Sequence, residues 1–90
     1  MKKEKEKYHS SCIHSKLILK DERLVSSSWD GTINIYDKNN YYVTMKINAH
    51  KNQINQITLL SDGNMASCSN DKTINIYKIE ENKYTLIQTL

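Results

Sequence analysis

The sequence predicts an all-β fold made of two four-stranded antiparallel sheets, and three observations lead there. The chain repeats itself: sliding it by 41 positions lays residues 9–37 on 50–78 without a gap, and 12 of the 29 pairs are identical. Within each copy, short runs alternate apolar and polar residues and are rich in β-branched and aromatic side chains, with no sustained helical period. Clusters of turn-forming residues separate the runs. The run Thr-Ile-Asn-Ile-Tyr recurs at 32–36 and 73–77, and His9/His50, Ile13/Ile54, Asp21/Asp62, Ser26/Ser67, Ser28/Ser69 and Asp30/Asp71 also match. Such in-register agreement is duplication, not shared composition.

The elements follow in order. Residues 12–19 alternate loosely and stop at Lys20-Asp21-Glu22. A second run, 23–28, ends at Trp29-Asp30-Gly31, a turn cluster. Residues 32–37 alternate with period two, and 41–47 follow Lys38-Asn39-Asn40. The second copy places runs at 53–60, 64–69, 73–78 and 84–90, with turns at Asp62-Gly63 and Asn70-Asp71-Lys72 and a last connection two residues longer.

Bulk properties bound the function. Ninety residues suit one small domain, and 38% apolar with 26% charged residues fits neither a disordered nor a membrane-spanning chain. The formal charge of +3 comes mostly from the head, where residues 2–7 hold four Lys and two Glu. The nearly neutral remainder offers no footprint for nucleic acid, and the head reads as a solvated tail. Two distant cysteines, Cys12 and Cys68, argue for a reducing cytoplasmic or nuclear setting.

A period near 40 with four strands per unit is the spacing of a propeller blade. The residues at fixed places in each copy resemble the WD-repeat β-propeller family. The first copy carries Tyr8-His9, Ser26-Ser27-Ser28, Asp30-Gly31-Thr32-Ile33 and Tyr36-Asp37; the second carries Ala49-His50, Ser67-Cys68-Ser69, Asp71-Lys72-Thr73-Ile74 and Tyr77-Lys78. The literal Trp29-Asp30 is a decoy, because the family's signature dipeptide falls at Tyr36-Asp37 and Tyr77-Lys78. Tyr stands for Trp in both copies, Tyr8 and Ala49 stand for the Gly before His, and Lys78 stands for Asp. The expected organisation is a charged tail over 1–8 and blades over 9–48 and 49–90.

The resemblance implies two buried hydrogen-bond networks, His9, Ser26, Asp30, Tyr36 and His50, Ser67, Asp71, Tyr77. A carboxylate needs donors, imidazole both donates and accepts, and so does a phenol, so the chemistry suits the assignment. A hydrolase reading of Ser26 or Ser67 fails on placement, since each serine lies inside a strand and the set occurs twice. His9, Cys12 and His14 do not make a metal site, because the second copy has Gln53 and Asn55 at the last two places. No cofactor or metal is expected.

By the same resemblance, partners bind on one rim, at Cys12, His14 and Trp29 in the first blade and Gln53, Asn55 and Asn70 in the second. The expected function is a non-catalytic scaffold for a protein or peptide partner. A substrate-receptor or accessory subunit of an enzyme complex, such as a ubiquitin ligase, is the alternative. Closed propellers have several blades, so two would leave apolar faces wet. A longer propeller containing this segment is the favoured expectation. Self-association, or completion of another protein's ring, are the others.

Overall fold

A computed structural model describes residues 13–90, with side chains from Ser15 onward. The strands are β1 (Ile13–Ile18), β2 (Leu24–Ser28), β3 (Thr32–Tyr36), β4 (Val43–Asn48), β5 (Ile54–Leu59), β6 (Met65–Ser69), β7 (Ile74–Ile79) and β8 (Tyr84–Thr89). They form two antiparallel meanders, β1-β2-β3-β4 and β5-β6-β7-β8, here called blade 1 and blade 2. The two-sheet, all-β expectation is met. Among the described residues no helix is long and apolar enough to cross a membrane.

The duplication extends to backbone detail. Each first strand pair shifts register once, between Ile13 and Ser15 in blade 1 and between Ile54 and Gln56 in blade 2. The outer pairs shift between Ile35 and Tyr36, and between Ile76 and Tyr77. In each β2–β3-type turn, a serine hydroxyl accepts the amide of the turn aspartate: Ser28 takes Asp30 and Ser69 takes Asp71, both at 3.1 Å. The aspartate then accepts the amide of Thr32 or Thr73, both at 2.9 Å. Short polar side chains thereby replace backbone partners where the strand reverses.

The core lies between the blades. Register places Val25, Ser27, Ile33 and Ile35 on one face of blade 1, with Ile47 beside Ile33. In blade 2, Ile57, Met65 and Tyr77 share a face through the pairs Ile57–Ser67, Leu59–Met65 and Met65–Tyr77. These two faces merge into one buried cluster, with β5 packed on β1 and β2. Aliphatic burial on this scale is the main favourable term available to a small fold.

Polar contacts lock the blades together around that core. Gly31 O accepts the amides of both Ala49 and His50 at 3.1 Å, so the interblade link lies on the β2–β3 turn. Gly31 has φ of +86°, and an added Cβ would strike the His50 carbonyl oxygen. Only glycine satisfies both the left-handed backbone and the close approach. On another edge, Arg23 donates to Glu80 O at 3.1 Å and Glu81 O at 3.4 Å, while its Nε holds Asp21 at 2.9 Å. Lys20 reaches Ser61 O at 3.2 Å.

Candidate functional site

Two sets of side chains stand out: a polar network inside each blade and an amide cluster on the rim. Among the described residues, the network is most complete in blade 2. His50 follows β4 directly, so the short link carries its ring beneath the β6–β7 turn, where its side chain is fully buried. His50 Nδ1 lies 2.9 Å from Asp71 Oδ2, and Nε2 lies 2.9 Å from Ser67 Oγ. A carboxylate only accepts, so Nδ1 carries the proton toward Asp71, and in the neutral ring Nε2 accepts from Ser67. Thr73 Oγ1 also donates to Asp71.

These donors hold the Asp71 carboxyl well below its ordinary value of 3.8, at about 2. The Thr73 hydroxyl contributes most, followed among the lowering causes by the His50 bond and the Thr73 amide, against opposing desolvation. The network is thus a carboxylate clamped by three donors and tied through imidazole to the strand-interior Ser67. Ser67 is only 1% exposed.

The tyrosines behave differently in the two blades. In blade 1, Ser26 Oγ and the Tyr36 hydroxyl are 2.8 Å apart, so the phenol does reach the serine. In blade 2 the Tyr77 hydroxyl accepts from Asn75 Nδ2 at 3.3 Å, as Tyr36 does from Asn34 Nδ2 at 3.5 Å, while Ser67 is engaged by His50. The placement of Tyr77 in the His–Ser–Asp chain is therefore corrected: it joins Asn75, which also donates to Ala49 O at 2.9 Å and accepts from Thr89 Oγ1 at 2.7 Å. Burial presses on the Tyr77 hydroxyl and raises its pKa, with the Asn75 bond opposing. Asp30 accepts from both the amide and the hydroxyl of Thr32. His9 lies outside the described residues.

Thr32/Thr73, Asn34/Asn75 and Ser28/Ser69 belong to the matched runs but were not assigned to the networks from the sequence, although each does part of this hydrogen bonding. Their signal was present, since all three pairs are identical between the copies.

On the rim, the structure brings together the three blade 2 residues proposed from sequence. Asn70 sits at the tip of the β6–β7 turn, donates through Nδ2 to Gln53 Oε1 at 2.8 Å, and accepts from Asn55 Nδ2 at 2.8 Å. Its amide also bonds Gln53 O at 3.0 Å, and Ser69 Oγ bonds the same carbonyl at 2.7 Å. The result is an ordered row of carboxamides, with Asn55 and Asn70 exposed and Gln53 half-buried. Trp29 holds the matching turn position in blade 1 and is 40% exposed. His14 is placed in β1 by its backbone, and Cys12 lies outside the described residues.

Two meanders with matching bulges, matching Ser–Asp–Thr turns and a shared core define a pair of consecutive propeller-type blades. A family model described as WD domain, G-beta repeat matches residues 8–37 and again 42–78, and the chain belongs to that family. Repeats of this family serve generally as protein-interaction scaffolds. No curated protein matches the chain.

Proposed function

We propose that this chain is a non-catalytic scaffold that grips a protein or peptide through the rim formed by Trp29, Gln53, Asn55 and Asn70. The observation that carries this reading is the carboxamide row. Its three side chains, with Asn55 and Asn70 exposed and Gln53 half-buried, are already fixed by mutual hydrogen bonds, which lowers the entropy lost when a partner binds. Carboxamides both donate and accept, the pattern needed to bond a peptide backbone. An exposed Trp beside such a surface supplies the aromatic anchor typical of hot spots.

The polar networks support a structural role rather than attack on a substrate. Ser67 and Ser26 are buried, and each hydroxyl is engaged inside its own sheet.

The test uses peptides selected from a display library against the wild-type chain. Trp29→Asn, borrowed from the second copy, should keep the wild-type melting temperature and weaken the selected peptides by about 2 kcal/mol. Asn70→Ala should weaken them less. Peptides indifferent to both changes, or a Trp29→Asn chain that fails to fold, would remove the rim from the binding surface.

A further inference from the structure

The carboxamide row on the rim has a direction. Asn55 Nδ2 donates to Asn70 Oδ1, and Asn70 Nδ2 donates to Gln53 Oε1, both at 2.8 Å. The row therefore finishes in two different atoms. Asn55 Oδ1, an acceptor, stands at one end, and Gln53 Nε2, a donor, stands at the other. Among the described residues neither atom has a partner. In blade 1 Trp29 takes the place of Asn70, and an indole only donates, so it cannot pass such a chain onward.

The row also grows from fixed backbone. Gln53 O accepts from Asn70 N at 3.0 Å and from Ser69 Oγ at 2.7 Å, and Gln53 N donates to Asn52 Oδ1 at 2.7 Å. The blade 1 turn that bears Trp29 abuts the residue before Gln53, since a Cβ on Gly31 would lie 3.2 Å from Asn52 O. The aromatic side chain and the row thus sit on adjoining segments.

We infer that the partner is an extended peptide read through its backbone, with one N–H seated on Asn55 Oδ1 and one C=O on Gln53 Nε2. This rests on the rim being the binding surface and adds what that surface recognises. A carboxylate or phosphate carries acceptors only and would set like charge against Asn55 Oδ1. An ammonium or guanidinium carries donors only and would face the Gln53 N–H groups. A peptide edge carries both kinds, repeated at every second residue, about 7 Å along an extended chain. Gln53 and Asn55 are themselves two residues apart, so their free atoms suit groups on a single edge. Backbone also meets them without the rotamer freedom that a partner's Asn or Gln side chain would lose.

The test uses peptides selected by display on the wild-type full chain. Gln53→Glu retains an oxygen that accepts from Asn70 but removes the outward donor. It should keep the wild-type melting temperature and weaken those peptides about tenfold, the size of one lost hydrogen bond. Lowering the pH to about 4 should recover part of that loss relative to wild type, because a protonated glutamic acid donates again. Asn55→Asp acts through the row. Asn70 must turn to donate to the new carboxylate, Gln53 follows, and its oxygen then faces outward. That variant should show a similar loss, and the double variant should be no weaker than Gln53→Glu alone. On the peptide side, an ester replacing the amide over Asn55 should weaken binding to wild type but not to Asn55→Ala. A Gln53→Glu chain that binds as wild type overturns the inference. So do additive losses in the double variant, or an ester scan without effect. Loss on Trp29→Asn with none on Gln53→Glu removes the backbone contact alone and leaves the rim as the binding surface. Peptides indifferent to every variant remove both. If Gln53→Glu lowers the melting temperature, Asn55→Asp and the ester scan decide.

Discussion

Blade 1 and blade 2 share a fold and much of their sequence, yet they are buried differently. In blade 1, β2 and β3 are buried on both faces, running from Val25 to Ser28 and from Ile33 to Tyr36. In blade 2, the matching strands alternate, with Ala66, Cys68, Ile74 and Ile76 more open than their neighbours. Identical isoleucines at 33 and 74 thus end up in opposite environments. The lesson is that a repeat sequence specifies a face, while position in the stack decides whether that face is core.

The two glycines make the same point through the backbone. The first two turns of each blade hold a left-handed residue, at 22 and 31 in blade 1 and at 63 and 72 in blade 2, and Tyr41 (φ 59°) adds a third in blade 1. Blade 1 fills those first two turns with Glu22 (φ 77°) and Gly31 (φ 86°), and blade 2 with Gly63 (φ 90°) and Lys72 (φ 71°). At Gly31 the other blade's backbone presses directly on the turn, whereas Lys72 is exposed. A side chain is tolerated in the left-handed region where space allows, and excluded where the next blade crosses.

The comparison breaks most sharply at that turn. Gly31→Lys, the residue used at 72, should cost about 3 kcal/mol, since it overpacks fixed backbone at the interblade link. Urea unfolding reads this directly, and a loss under 1 kcal/mol would mean the link yields.

Next in size is the network that blade 2 has drawn around His50. His50→Leu leaves the buried Ser67 hydroxyl without its imidazole and should cost about 1–3 kcal/mol by the same measurement. Retention of wild-type stability would show that the ring only fills space.

The long cations of blade 1 reach blade 2, while the matching Ser61 and Asn64 are too short to reach beyond their own turn. Arg23→Asn should therefore cost about 1 kcal/mol, the net value of a carbonyl clamp at a partly exposed site. Chemical shifts should move at Glu80 and Glu81; unchanged shifts there would contradict the clamp.

Acid titration sharpens the comparison from another side. Asp71 has its folded pKa lowered from 3.8 to about 2, so its contribution is complete above pH 3.8 and fades as pH falls through about 2. Melting temperature should drop across that window, and Asp71→Asn should flatten part of the drop. An equally steep drop in the variant would assign the acid limb to other carboxylates.

The smallest effect belongs to the reciprocal glycine exchange. Lys72→Gly relieves about 1 kcal/mol of left-handed strain but adds glycine's backbone entropy cost of about 0.5–1 kcal/mol. Stability should change by less than about 1 kcal/mol, against the large loss at Gly31. If the two exchanges cost the same, local conformation and not interblade crowding sets the choice of glycine.

The strands, the duplication, the turn chemistry and the family were legible in the order of residues, because these depend on local periodicity and on residues at fixed spacing. The family resemblance also put Gln53, Asn55 and Asn70 on one rim, because positions in a repeat transfer residue by residue. Contacts between elements came only with packing. That the Ser26 hydroxyl lies 2.8 Å from that of Tyr36, and Ser67 Oγ 2.9 Å from His50 Nε2, is set by strand placement. Asn75, which donates to Tyr77, also bonds Ala49 O and Thr89 Oγ1 on neighbouring elements. Gly31 and Lys72 differ because His50 crosses one turn and leaves the other exposed. Hydrogen bonds and close approaches depend on ångström-scale placement of strands that a linear pattern does not encode, and that placement is fixed only when the blades pack.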